Sequence, residues 1–102
     1  ELSFHGTRAW DIDEARPGLC FACMYAEGSG KYGVKEDSFI YTAVNAHWEE
    51  HTFTLPALPG KLTWHIVCHS KGLCCPCGKE MPLKISFRYT LGPRESAVLI
   101  SK

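Results

Sequence analysis

The chain has 102 residues, enough for one domain, and its eleven basic and eleven acidic side chains cancel. That balance, with no basic run longer than two residues, excludes the charge asymmetry of a nucleic-acid or membrane-surface binder. No apolar stretch approaches the roughly 20 residues of a membrane helix, and the N-terminus lacks the charged and apolar regions of a signal peptide. The sequence opens Glu-Leu-Ser without an initiator Met, so an excised or processed piece of something longer is expected.

Residues 1–13 read as a lead-in lying across a surface, with an apolar Leu2-Ser3-Phe4 and an exposed Trp10-Asp11. Arg16-Pro17-Gly18 is a turn signal. The next run, residues 19–25, is apolar on both faces: Leu19, Phe21, Cys23 and Tyr25 form one row, Cys20, Ala22 and Met24 the other. Residues 26–37, rich in Gly and charge, read as an exposed loop. Residues 38–56 (SFIYTAVNAHWEEHTFTLP) read as a β-hairpin, with strands at 38–44 and 51–55 and a polar connection at 45–50. In its first strand Phe39, Tyr41 and Ala43 oppose Ile40, Thr42 and Val44, and neither face is strongly polar. A strand of that kind is covered on both sides. One cover can be a second sheet; the other can come from outside this chain.

Beyond the PALPG turn, residues 62–68 alternate, with Leu62, Trp64, Ile66 and Cys68 on one side and Thr63 and His65 on the other. Residues 69–82 are rich in Gly, Pro and Cys and read as irregular. Residues 84–89 alternate again, placing Ile85, Phe87 and Tyr89 together, and residues 96–100 form a closing strand. No segment carries a helical period. The expected fold is all-β, an antiparallel β-sandwich of Greek-key type with about six to eight strands.

Six cysteines invite a disulfide framework, but Cys20, Cys23 and Cys68 sit in apolar strand-like runs, where a free thiol behaves as a small hydrophobe. A reducing, cytoplasmic location is therefore favoured over a secreted one. His69, Cys74, Cys75 and Cys77 are the one metal-like cluster, because zinc accepts Cys and His in a tetrahedral site. The spacing is not that of a zinc knuckle, so a zinc site, a disulfide within the loop and free thiols all stand, free thiols favoured. No cofactor is expected. Cys68 and His65 alternate to opposite faces of a strand, which argues against a nucleophilic dyad. Glu49-Glu50, and Asp11 with Asp13, read as solvated surface.

Several pieces together resemble the C-terminal β-domain of glycogen-debranching, isoamylase and pullulanase-type enzymes of the α-amylase clan, glycoside hydrolase family 13. Leu2-Ser3-Phe4-His5-Gly6 with Trp10-Asp11 resembles the family's "S-W-H-G … D-W" entry. Asn45-Ala46-His47-Trp48-Glu49, followed by Thr52-Phe53-Thr54-Leu55-Pro56, resembles "N-A-H-W-E-P-x-x-F-x-L-P". Leu91-Gly92-Pro93-Arg94 with Ser96-Ala97-Val98-Leu99 resembles the terminal "L-x-P-R-S-x-x-V-L" strand. The sequence departs from the pattern at Phe4, where Trp is usual, at Glu95, which is inserted, and in the Cys-rich loop.

The resemblance implies that residues 1–102 are a single C-terminal accessory domain of an α-1,6-glucan debranching hydrolase. It would carry no catalytic residue, since the chemistry needs an Asp nucleophile and a Glu acid/base on a (β/α)₈ barrel of at least roughly 200 residues. Its partner would be that barrel, with α-glucan as a second candidate. For glucan, Trp10 and Trp48 are candidate platforms and Asn45 and His47 candidate hydroxyl partners, while Trp64, on an alternating strand, reads as core. Packing of Trp48 at an interface is the favoured reading over sugar contact.

Overall fold

The computed structural model describes residues 2–10, 20–26, 39–76 and 78–102. Among them there is no helix, and nine strands run in order: β1 (Leu2–His5), β2 (Cys20–Ala26), β3 (Phe39–Asn45), β4 (His51–Thr54), β5 (Trp64–His69), β6 (Leu73–Cys74), β7 (Met81–Pro82), β8 (Arg88–Leu91) and β9 (Ser96–Ser101). Seven form one antiparallel sheet in the order β1-β2-β3-β9-β5-β6, with β7 also on β5, and β4 pairs with β8 in a second, two-stranded sheet. This is the all-β sandwich that the alternation predicts. After β3 the chain crosses to the small sheet as β4, returns to the large sheet as β5, β6 and β7, crosses again as β8, and ends as β9, inserted between β3 and β5.

The expected hairpin does not form. β3 pairs with β2 and β9, while β4 pairs with β8, so residues 46–50 cross from one layer to the other instead of turning within a sheet. The lead-in is likewise a strand, its four residues matched to Tyr25, Met24, Cys23 and Ala22. Two short strands, β6 and β7, occupy the loop expected to be irregular, because the edge of β5 offers them backbone partners. Of the strand expected at 84–89, only the end is a strand, and Ile85 and Phe87 lie exposed. The turn at 16–18 and residues 27–37 of the expected loop lie outside the described residues.

Strand registers align the inner face in rows. His5, Ala22, Ala43, Ala97 and His69 are successive cross-strand partners, as are Ser3, Met24, Tyr41, Leu99 and Ile66. The small sheet covers these rows with Phe53 and Leu91, joined by Leu55 just beyond β4, in one buried core that contains Trp64. Trp64 is core as expected, and its indole N–H donates to the Pro56 carbonyl at 2.9 Å. Alanines in the middle of the large sheet leave room for the Tyr41 and Trp64 rings, whose centroids lie 5.8 Å apart. The Tyr41 hydroxyl is buried with no hydrogen-bond partner among the described residues, and burial pushes its pKa upward.

A bulge between Ile66 and Cys68 shifts the register on β9. A bulge reverses the facing of the residues beyond it. Cys68 therefore lies opposite Val98 on the outer face, with His65, and not on the Trp64 row. His69 turns inward, where its Nδ1 lies 2.7 Å from the Tyr89 hydroxyl.

The outer face of the large sheet remains apolar. Phe4, Cys23, Thr42, Val98 and Cys68 form one row; Leu2, Tyr25, Ile40, Ile100 and His65 form the next. Leu2, Phe4, Phe21, Tyr25, Ile40 and Val44 are all exposed, and the Phe4 and Phe21 rings lie 5.7 Å apart. Both faces of β2 and β3 are apolar, as the sequence shows, but among the described residues only one is covered.

Candidate functional site

The layer crossing at residues 45–51 is built around Asn45, which is fully buried at the end of β3. Its amide donates to the carbonyls of Glu49 at 2.8 Å, Gly92 at 3.0 Å and Leu91 at 3.3 Å. Its side-chain oxygen accepts from the His47 N–H at 3.0 Å and the Cys20 thiol at 3.6 Å. One side chain thus bends the chain at residues 46–50 and ties it to the turn after β8. That turn, in effect, holds the crossing in place. Asn45 N–H donates to Glu95 C=O at 2.8 Å, and Arg94 N–H to His47 C=O at 3.1 Å.

Glu95 holds the turn itself. Its carboxylate accepts the Gly92 N–H and lies 3.3 Å from Lys71 Nζ and 3.4 Å from His69 Nε2. A Cβ at position 92 would meet that carboxylate at 2.5 Å, so a larger residue there would displace the Glu95 side chain from the turn. Burial works to raise the Glu95 pKa, but the Gly92 N–H, Lys71 and His69 outweigh it and hold the carboxyl below its ordinary value of 4.5.

His5 is a second buried polar anchor. Its Nδ1 accepts the Trp10 N–H at 2.6 Å, which leaves the ring proton on Nε2, 2.9 Å from Ser3 Oγ. Burial lowers its pKa from 6.5. Both groups bind protons less readily folded than unfolded, so both contribute stability at neutral pH that acid removes. The melting temperature is expected to hold level above pH 6.5, fall as His5 is forced to protonate below it, and fall again below 4.5 as Glu95 does. A thermal melt series across that range checks it, with Glu95→Gln reducing the second fall, to which Glu80, also held below 4.5 by the Gly78 N–H and Lys102, still contributes.

Of the candidate sugar-binding residues, Trp10 and Trp48 are exposed, at 64% and 71%. They do not share a platform. Trp10 meets the His5 ring edge-on and borders a hollow with Leu2, Ala26, Phe39 and Ala57, at the Phe39 end of β3. Trp48 lies beyond Asn45, at the other end, with its ring centroid 4.2 Å from that of His47. The Asn45 amide is consumed by the loop, and His47 is buried. Trp48 is left as the exposed ring of this corner.

The described candidate metal residues, His69, Cys74 and Cys75, do not converge. His69 faces inward toward Tyr89 and Glu95, Cys74 is exposed opposite Cys68, Cys75 packs on the core, and Cys77 lies outside the described residues. Cys23, Cys68, Cys74 and Cys75 are free thiols. Among the described residues a different set comes together. His47, Glu49 and His51 place their ligand atoms within 4.8 Å of one another. His51 carries no such role in the sequence, where it is simply the first residue of a strand. The H-x-E-x-H spacing is the signal that could have found it.

The chain matches no family model and no curated protein.

Proposed function

We propose that this chain is the non-catalytic C-terminal β-domain of an α-1,6-glucan debranching glycoside hydrolase, docked on the catalytic (β/α)₈ barrel of its parent and stabilising it. The observation that carries the docking role is the face of the large sheet that no other described residues cover. Leu2, Phe4, Phe21, Tyr25, Ile40 and Val44 project from three adjacent strands of that sheet. Soluble proteins seldom leave so contiguous an apolar patch in water, and each Å² covered contributes about 25 cal/mol. The identity of the parent rests on the sequence resemblance. The buried role of Asn45 gives a physical reason for the asparagine in its most specific motif, since the layer crossing depends on that amide.

The exposed Trp48 ring favours a second reading, a carbohydrate-binding module. Titration with maltoheptaose and with branched glucan, followed by Trp fluorescence and calorimetry, separates the two. The docking role predicts no saturable binding up to millimolar sugar. Saturable binding that Trp48→Ala abolishes would make this a glucan-binding module.

A further inference from the structure

His47 Nδ1 and His51 Nε2 lie 3.0 Å apart, and His47, Glu49 and His51 each place one ligand atom within 4.8 Å of the others. Two imidazole nitrogens bound to one zinc ion, each about 2.0–2.1 Å from it at tetrahedral or octahedral angles, are separated by roughly 2.9–3.4 Å. The pair therefore already has the spacing of coordinated ligands. A hydrogen bond between neutral rings would account for the two histidines alone, but it makes no use of the carboxylate beside them. From this geometry we propose that His47, Glu49 and His51 form a binding site for a divalent transition-metal ion, with zinc the best-fitting species.

The ligand set selects the ion. Two imidazoles and one carboxylate suit zinc and its first-row neighbours, whereas calcium and magnesium take oxygen ligands. Three protein ligands leave a tetrahedral ion one position for water or for a group from a partner.

The site is held ready by the same residue that makes the crossing. Asn45 accepts the His47 N–H and donates to the Glu49 carbonyl, fixing the backbone on both sides of Trp48. Arg94 N–H holds the His47 carbonyl, and His51 is fixed opposite Leu91 in the β4–β8 pairing. Little of the loop remains to be ordered when the ion binds. His47 is buried, His51 half-buried and Glu49 exposed, so the ion enters from the Glu49 side. This inference is independent of the debranching reading.

Zinc chloride titrated into the whole reduced chain by calorimetry tests it, beside Glu49→Gln, His51→Gln and a Cys74→Ser/Cys75→Ser/Cys77→Ser variant. The two ligand substitutions avoid the buried His47, whose ring is followed by ¹⁵N NMR in the unsubstituted chain. The site predicts one ion per chain, movement of the His47 and His51 ring resonances, and a raised melting temperature. Glu49→Gln and His51→Gln should each bind roughly tenfold or more weakly, a loss of about 1.4 kcal/mol or greater, while the cysteine variant binds as before. No uptake in excess zinc would overturn the proposal. So would uptake that survives both ligand substitutions, or uptake lost in the cysteine variant, which would place the ion in the Cys-rich loop.

Discussion

Asn45→Asp is expected to cost at least about 3 kcal/mol of stability, although it changes only an amide NH₂ to an oxygen. The amide faces three carbonyl oxygens, those of Glu49, Leu91 and Gly92, none farther than 3.3 Å. A carboxylate there would set lone pair against lone pair in a site from which water is excluded. The variant has a signature that a simple loss of packing lacks. Its carboxyl would be easier to protonate folded than unfolded, so acidification from roughly pH 7 to pH 5 should recover part of the loss. In the unsubstituted chain the same acidification lowers stability. Urea melts at both pH values read the difference, and equal destabilisation at both would contradict the role assigned to the amide.

Trp64→Ala is expected to cost about 3–5 kcal/mol, the range for emptying a buried aromatic site. Trp64 is only 2% exposed and packs beside Tyr41 in the middle of the core. The substitution also strands the Pro56 carbonyl, which loses its indole donor. Against a total of about 5–15 kcal/mol for an ordinary domain, that leaves the chain near its folding threshold. Trp64→Phe keeps most of the ring and loses the hydrogen bond, and should cost about 1–3 kcal/mol. Phe21→Ser and Tyr25→Ser, on the outer face, should each stay within about 0.5 kcal/mol of the original chain. Denaturant midpoints for the four variants check the ordering. Outer-face losses as large as that of Trp64→Ala would mean that the face is core.

The alternation of β2, β3 and β5 was legible in the sequence, and so was the burial of Trp64, because period-two patterning is local. Layer assignment was not. An alternating run, a polar link and a second alternating run describe a hairpin and a crossing between sheets equally well. The pairing is decided by β8 and β9, some forty residues farther along the chain. Asn45 itself misled in the same way, since a polar residue in a polar stretch is usually at the surface, and here it is the buried knot of two loops. The bulge before Cys68 was silent for another reason: no Gly or Pro marks it, yet it reverses the faces of Cys68 and His69.

At the candidate site, the exposure of Trp48 could be read from its place in a polar loop. The His47–Glu49–His51 convergence could not, because it depends on the bend that Asn45 imposes. The Cys-rich loop gave a composition and no geometry. Its register on β5 puts Cys74 opposite Cys68 and leaves His69 on the other face.

The docking role is tested most directly by hydroxyl-radical footprinting of Phe4, Phe21 and Tyr25. The measurement is made twice, on the isolated chain and on the native protein as purified from its source. The account predicts that all three side chains oxidise readily in the isolated chain and are strongly protected in the native protein, while the exposed Phe87 gives a reference for accessibility. Equal oxidation in the two samples would show that nothing covers the outer face, and the docking role would fall.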